Sequence, residues 1–116
     1  MIGFGTSQKY FVYRHATDMR KGVWSLGGMV RNEMDGDPMD GAVYIFFSKS
    51  YQTVKLLTWD KDGFVVYMKR LEKGRFEAIG KLSEGQKQEI SYQFLVMLLS
   101  GISLIGMKQR PRYKMA

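Results

Sequence analysis

Three β-rich runs follow one another between residues 41 and 71, and their close spacing constrains the fold more than any other feature. They read "GAVYIFFSK", "SYQTVKLLTWD" and "GFVVYMKRL". The last two are joined by "DKDG", Asp60 to Gly63, a short hairpin connection in which we expect Gly63 to supply a positive φ. Strands joined by such short turns pair antiparallel. The first run is apolar at nearly every position, which indicates a strand buried on both faces.

Two helices and two shorter strands complete the predicted elements. The first helix is indicated by an apolar stripe at helical spacing, formed by Val23, Leu26, Gly27, Val30 and Met34. Ser91 fits the N-cap of a second helix over 92–100, with Gly101 in the C′ position. Short strands are predicted at "KYFVYR" and "QKQEI". The sequence therefore predicts an α+β fold: a mainly antiparallel sheet, a meander of about five strands, with two main helices packed on it.

The length of 116 residues fits one domain over 1–116, with a core of about 10–103 and a basic C-terminal tail at 107–116. The absence of Cys excludes disulfides, thiolate metal sites and Cys nucleophiles. No signal peptide is recognisable, and the most apolar stretch is about 15 residues, short of the roughly 20 that a membrane span needs. We expect a soluble, cytoplasmic protein with no membrane partner.

The charge is positive and unevenly distributed. Eighteen Lys and Arg stand against eleven Asp and Glu, a net +7. Residues 1–62 hold eight cations and seven anions, a net +1, whereas residues 63–116 hold ten and four, a net +6. A basic half of this kind favours a polyanionic partner, most often nucleic acid. The alternative is that the charge serves solubility alone.

A cationic cluster lies around the predicted turn "KRLEKGRF" and consists of Lys69, Arg70, Lys73 and Arg75. Cations of this kind contact phosphates, and aromatic side chains can stack on exposed bases. The aromatic residues near the cluster in sequence are Trp59, Tyr67 and Phe76. On a strand, successive side chains alternate between faces, so Lys69 and Arg70 point in opposite directions. The alternative is a solvated hairpin end whose cations pair with Glu72 or Asp60.

A second basic segment, "TDMRKG", places Arg20 and Lys21 just ahead of the first predicted helix. The positive end of a helix dipole disfavours cations, so their position needs an explanation. Asp18 can cap the helix and also pair with Arg20. Alternatively, the helix begins later, near Gly22, and both cations lie in a loop. The sequence leaves both interpretations open.

Metal-binding and catalytic patterns are weak. His15 is the single His in a chain without Cys, which excludes a zinc site. Gly63 occupies the fourth position when Asp60 is counted as the first, whereas a calcium loop of the EF-hand type requires Gly at the sixth position. Asp60 and Asp62 could take part in metal-dependent nuclease chemistry only if a third carboxylate, Asp18 or Glu72, converged on them. We predict no metal, no cofactor and no catalytic residues.

The second predicted helix, "SYQFLVMLLSG", is apolar nearly all round. A helix of this kind is buried in a core or in an oligomer interface. Core packing is the simpler interpretation. A small chain has limited material to cover both faces, so homodimerisation or docking onto a larger protein is a further hypothesis.

Several fragments in order resemble one family. They are "TDMRKG", "GAVYIFF", "VKLLTWDKDGF" and "YMKRLEKGRF", followed by a helix of the "FLVMLLSGI" kind. Over about residues 10–103 the chain resembles the TnpB-type accessory protein encoded by the second open reading frame of the insertion-sequence-sixty-six group of bacterial transposons. The resemblance implies a role in transposition beside a separate transposase that carries the catalytic residues. The chain departs from the family pattern in two places. The segment "SKSYQT" carries only Lys49 where arginines are common in the family, and Glu77 and Ala78 stand where Trp-Pro is common.

From the residues and the resemblance together we expect a non-catalytic accessory protein of transposition that binds DNA, the transposase, or both. The predicted phosphate contacts are Arg20, Lys21, Lys55, Lys69, Arg70 and Arg75. The remaining motif residues carried over are Asp18, Trp59, Asp60, Asp62, Gly63, Gly74 and Phe76. The alternatives are an adaptor that docks on the transposase without touching DNA, and a metal-dependent nuclease.

Overall fold

A computed structural model describes residues 4–77 and 85–100. The elements in chain order are β1 (Tyr10–Tyr13), α1 (Val23–Glu33), β2 (Val43–Phe47), β3 (Thr53–Asp60), β4 (Gly63–Arg70), β5 (Lys87–Ile90) and α2 (Tyr92–Leu99). The five strands form one sheet in the order β4-β3-β2-β1-β5. The predicted α+β class and the mainly antiparallel sheet are confirmed.

The meander covers β2, β3 and β4, which pair antiparallel in sequence order. β1 lies parallel to β2 instead, with Tyr10 opposite Val43. A parallel pair needs a crossover connection, and α1 supplies it between these two strands. β5 then pairs antiparallel with the other side of β1. The predicted meander of about five strands is therefore wrong at two strand pairs: β1 and β2 are parallel, and β5 pairs with β1 and not with β4.

The two helices cover opposite faces of the sheet. One buried cluster joins Phe94, Leu95 and Leu98 of α2 to one face, and it includes Val43, Ile45 and Phe47. The other cluster joins Leu26 and Val30 of α1 to the opposite face, with Tyr44 and Phe46. Because β2 lies between the two helices, all five of its residues are buried, as its apolar composition predicts. Within the described residues, no helix is long and apolar enough to cross a membrane.

The first residues of the two helices test the predicted N-caps. Ser91 caps α2 as predicted, since its Oγ accepts a hydrogen bond from the Phe94 N–H at 3.0 Å. Gly101 and the basic tail lie outside the described residues. α1 begins at Val23 with Gly22 as N-cap and no side-chain cap. The idea that Asp18 caps this helix is therefore wrong, and Arg20 and Lys21 lie in the loop that precedes it.

The hairpin between β3 and β4 has the predicted length but a different backbone. Asp60 pairs with Gly63, so Lys61 and Asp62 form a two-residue turn. The positive φ belongs to Lys61, at 57°, and not to Gly63, which is the first residue of β4. The expectation for Gly63 is therefore wrong, because pairing with Asp60 holds it in an extended conformation. Gly74 does adopt a positive φ, 73°, in the turn that follows β4.

Candidate nucleic-acid interface

Three chain segments meet at one end of the sheet, where β1, β2 and β4 finish. They are residues 14–22, 48–52 and 69–77, and we call them the basic end. Backbone hydrogen bonds join them: Thr17 donates to the Phe47 carbonyl at 2.8 Å, and Leu71 donates to Gln52 at 2.9 Å. A third bond runs from the Phe76 N–H to the Tyr51 carbonyl at 2.7 Å. Segments far apart in sequence are thus held side by side.

The basic end is strongly positive. Its three segments hold eight Lys and Arg against three Asp and Glu, a net +5. The opposite end of the sheet, formed by residues 34–42 and 60–63, holds one Lys and five Asp, a net −4, and we call it the acidic end. Two of the three basic segments, 14–22 and 48–52, belong to the half of the chain with a net charge of only +1, so the separation of charge between the two ends of the sheet is produced by the fold and differs from the asymmetry between the two halves of the sequence.

Arg20 pairs with Asp18 inside the "TDMRKG" segment. Its Nη2 lies 2.6 Å from the Asp18 carboxylate, and its backbone N–H donates to the same carboxylate at 2.9 Å. The hydrogen bond from the Arg20 side chain lowers the pKa of Asp18 well below its ordinary value. The Arg20 side chain remains 91% exposed, so the pair orients the guanidinium without burying it.

Lys55 reaches this segment from β3. Its ammonium donates to the carbonyl oxygens of Met19 at 2.8 Å and Lys21 at 2.9 Å. These two bonds neutralise backbone acceptors and fix the loop in which Arg20 and Lys21 lie. Lys55, one of the predicted phosphate contacts, therefore serves here as a clamp for its neighbours.

Lys69 and Arg70 leave β4 on opposite faces, as strand alternation predicts. The Lys69 ammonium donates to the Leu99 carbonyl at 2.8 Å and so satisfies an acceptor at the end of α2. Arg70 donates to Thr53 Oγ1 at 3.1 Å and to Gln52 Oε1 at 3.2 Å. Arg70 remains exposed, whereas Lys69 is half-buried against α2.

Arg75 differs from Arg20 and Arg70 because its guanidinium has no hydrogen-bond or ion-pair partner within the described residues. It is exposed, and so is Lys73 two residues earlier. Phe76, directly after it, is fully buried, with its ring centroid 5.8 Å from that of Phe47. Phe76 therefore anchors the segment to the core while the guanidinium of Arg75 faces solvent.

The aromatic residues near the cluster in sequence are not available for stacking on bases. Phe76 is buried, and Tyr67 packs against the core beneath α2. Trp59 lies at the far end of β3, where its ring meets Phe64 edge-on at 5.0 Å. Of these three rings only Phe76 lies at the basic end, where it is buried, and β3 runs from that end to Trp59 at the other, so the three rings do not border the phosphate contacts.

Sequence reasoning missed several residues of this region. Arg14 and Lys49 also lie at the basic end, because Arg14 directly follows β1 and Lys49 lies two residues after the end of β2. Trp24, in the first turn of α1, is 83% exposed. Its position off the apolar stripe of α1 was the available signal for this exposure. The positions of Arg14 and Lys49 required knowledge that β1 and β2 run parallel.

Asp60 and Asp62 lie in the exposed turn at the acidic end, while Asp18 and Glu72 lie at the basic end. Within residues 4–77 and 85–100, no three His, Cys, Asp or Glu side chains are placed to hold a metal ion. The nuclease alternative required Asp18 or Glu72 to join the turn carboxylates. That convergence does not occur in this part of the chain.

A groove of about 590 Å³ opens beside the acidic end. Its wall contains Phe11, stacked on Tyr44 at 5.7 Å, with the Lys87 ammonium 4.5 Å from the Phe11 ring centroid. The Tyr44 hydroxyl donates to the Asp40 carboxylate at 2.9 Å, and burial together with that carboxylate raises the pKa of Tyr44. Nearby Asp35 and Asp37 make the groove unsuited to phosphate, so we exclude it from the interface.

Comparison with known proteins identifies relatives over nearly the whole chain. Residues 8–109 match the family model described as IS66 Orf2 like protein. The uncharacterized protein y4hO of Sinorhizobium fredii (strain NBRC 101917 / NGR234) is 33% identical over 102 residues, covering 88% of this chain and 87% of that protein. The uncharacterized protein y4jC of the same organism is 25% identical over 111 residues, covering 96% and 93%. No solved structure matches significantly.

Proposed function

The chain belongs to the IS66 Orf2-like family, accessory proteins of insertion-sequence transposition, and from that premise we propose that it binds DNA through the basic end. The family membership supports the role in transposition. The concentration of net +5 in three segments at one end supports the polyanionic partner. The observation that carries the proposal is Arg75, an exposed guanidinium on an anchored segment with no partner in the described part of the chain.

The six predicted phosphate contacts divide into two groups in this proposal. Arg20, Lys21 and Arg75 contact phosphates, assisted by the donors of Arg70 that Thr53 and Gln52 leave unused. Lys55 and Lys69 position them, because their ammonium groups already donate to backbone carbonyls. Phosphate contacts of this kind orient a protein on DNA without reading its sequence.

Fluorescence anisotropy on a labelled duplex tests the proposal, with salt varied from about 50 to 200 mM. Each phosphate contact contributes about −0.9 to the slope of log affinity against log salt. The Arg20→Ala/Arg75→Ala variant should bind roughly a hundredfold more weakly at low salt. The slope of log affinity against log salt should become less steep by the contribution of about two phosphate contacts. Both side chains are exposed, so the variant should fold.

The matched control is Lys9→Ala/Lys61→Ala, which removes the same charge from exposed positions away from the basic end. It should lose far less affinity. Equal loss in the two variants would mean that binding follows net charge and not the basic end. No binding of the unaltered protein at low salt would overturn the proposal.

A second candidate function is docking on the transposase of the same element, and Trp24 favours it. An indole that is 83% exposed on a helix is an ordinary anchor for a protein partner. Co-purification with the transposase in the presence of nuclease tests this function. Trp24→Ala should abolish the association and leave DNA binding intact. If nuclease treatment abolishes the co-purification, the chain and the transposase are held together by DNA and not by a direct protein contact.

A further inference from the structure

The two edges of the sheet are built differently. β5 is four residues long and carries Lys87 and Glu89, features that discourage pairing with another chain. β4 is eight residues long and apolar from Phe64 to Met68 apart from the Tyr67 hydroxyl. Within residues 4–77 and 85–100, no strand pairs with the outer side of β4. A long, apolar and unpaired edge is a template for strand addition.

Exposed apolar side chains concentrate at this edge. The described residues expose five large ones: Trp24, Met39, Val65, Met68 and Val96. Val65 and Met68 belong to β4 and are 44% and 57% exposed. Val96 of α2 lines a groove with Tyr67 and Lys69 of the same strand. Three of the five therefore border one strand edge, on both faces of the sheet.

The even-numbered residues of β4 direct their backbone N–H and C=O groups away from β3, towards the open edge. Leu71 donates its N–H to Gln52, so odd-numbered positions of this strand face β3. Because antiparallel pairs alternate between hydrogen-bonded and non-bonded positions, Phe64, Val66 and Met68 direct their peptide groups outward. An added antiparallel strand must meet these residues with outward-facing residues of its own.

We propose that a second copy of this chain occupies the edge, with β4 antiparallel to the partner's β4 across a twofold axis at Val66. This register places Phe64 opposite the partner's Met68 on the α1 face, and Val65 opposite the partner's Tyr67 on the α2 face. All the opposed positions from 64 to 68 are then apolar or aromatic. The two sheets join into one of ten strands.

Charge complementarity selects this register. It sets Asp62 opposite the partner's Arg70, so the acidic end of each copy lies beside the basic end of the other. Moving the axis to Val65 would set Lys61 opposite the partner's Lys69, which is repulsive. Moving it to Tyr67 would set the apolar Phe64 opposite the partner's Arg70. The Val65 axis would also oppose Asp60 to the partner's Arg70, but of these three registers only the Val66 axis has apolar or aromatic pairs throughout 64–68 and no like charges opposed between residues 62 and 70.

Core packing of α2, the simpler interpretation of its apolar sequence, is confirmed, and the homodimer proposed here uses β4 and not α2. The buried residues of α2, Phe94, Leu95, Leu98 and Leu99, pack on the chain's own sheet and are not available for a partner. Only Val96 of α2 contributes, at the border of the edge.

Sedimentation velocity of the full chain without DNA, from micromolar to submillimolar concentration, tests the proposal. The unaltered protein should sediment as a dimer at the higher concentrations. Val65→Lys/Met68→Lys should sediment as a monomer throughout, since it places like charges along the seam. Both side chains are exposed, and circular dichroism checks that the variant folds. Met39→Lys, at an exposed apolar position away from the edge, is the matched control and should remain dimeric.

A charge exchange tests the register. Asp62→Arg and Arg70→Asp should each weaken dimerisation at least tenfold, and the double exchange should restore it, because the opposed pair is re-formed with reversed signs. Failure of the double exchange to restore the dimer would overturn the register. A protein that is monomeric at every concentration would overturn the proposal and leave the edge to residues beyond 100 or to another protein. Neither result depends on DNA binding.

Discussion

The two ends of the sheet use their charges differently. At the acidic end, hydrogen bonds within the chain occupy two of the carboxylates. Asp37 Oδ1 accepts the Met39 N–H at 2.9 Å, and Asp40 accepts both the Ala42 N–H and the Tyr44 hydroxyl at 2.9 Å. Two cations are occupied in the same way by backbone carbonyls: Lys69 at the basic end and Lys55 of β3 beside it. More cations are present than the fold uses, and the surplus faces solvent.

This difference shows why net charge is a poor guide to a binding surface. A cation that donates to two carbonyls contributes to the charge of a region but is not free to move to a phosphate. A cation on an anchored segment with no internal partner can do so at little cost. Comparing the ends therefore separates positioning residues from contact residues, and three substitutions test that separation.

Phe76→Ala should have the largest effect. The ring is fully buried against Phe47, and removing a buried Phe costs about 3–5 kcal/mol of unfolding free energy. The same change should release the segment that carries Arg75 and weaken DNA binding. Urea unfolding measures the first effect and anisotropy the second.

The counterpart for Phe76→Ala is Phe64→Ala, near the acidic end, where the ring is half-buried against Trp59. It should cost less stability and leave DNA affinity unchanged under conditions where the protein is folded. If Phe76→Ala preserved full stability, the anchoring of this segment to the core would be wrong.

Lys55→Met should have an intermediate effect. It keeps most of the apolar stem but leaves the carbonyls of Met19 and Lys21 without their ammonium, a loss of about 1–2 kcal/mol. Lys61→Met, in the exposed turn at the acidic end, should change stability by less than about 0.5 kcal/mol. Urea unfolding of both variants distinguishes them, and an equal response would contradict the clamp.

Asp18→Asn should have the smallest effect and the opposite sign. Removing the carboxylate frees Arg20 for phosphate while Asn can still accept the Arg20 backbone N–H, so DNA affinity should rise a few-fold. Asp62→Asn, at the acidic end, removes the same charge far from the interface and should change affinity less. Reduced affinity in Asp18→Asn would show that the carboxylate is needed to orient the guanidinium.

The pH dependence of the Asp18–Arg20 pair follows from the same carboxylate. The pKa of Asp18 is lowered in the fold by the Arg20 hydrogen bond, so the ion pair is complete above the ordinary Asp pKa and is lost as pH falls through the lower folded value. Between about pH 5 and 8 the pair is constant. The pH dependence of DNA affinity across that window should therefore carry no contribution from Asp18.

Local patterns predicted much of the fold. The apolar run of β2 indicated burial on both faces, and Ser91 indicated the start of α2, because both signals depend on a few adjacent residues. The parallel pairing of β1 and β2 and the placement of the helices on opposite faces were not predictable from such patterns. They depend on how α1 returns the chain across the sheet.

The candidate site was predicted in part. The basic segments around Arg20 and Arg75 were identified, but not the Arg14 and Lys49 that lie with them. Trp59 was placed beside the cations because it is near them in sequence, whereas a strand of eight residues carries it to the opposite end. Because every residue of an extended strand adds to its length, Trp59 lies far from these cations in space although it is close to them in sequence.

The amino-acid sequence by itself determined the types of the elements, the N-cap of α2 and the excess of positive charge, because hydrophobic periodicity and capping chemistry act over a few residues. The tertiary structure decided which cations remain available. Lys55 finds its carbonyls more than thirty residues away, and Lys69 finds the end of a helix thirty residues further along the chain. Such contacts arise only when strands pair and helices pack, since the partners are brought together by the fold and not by the chain.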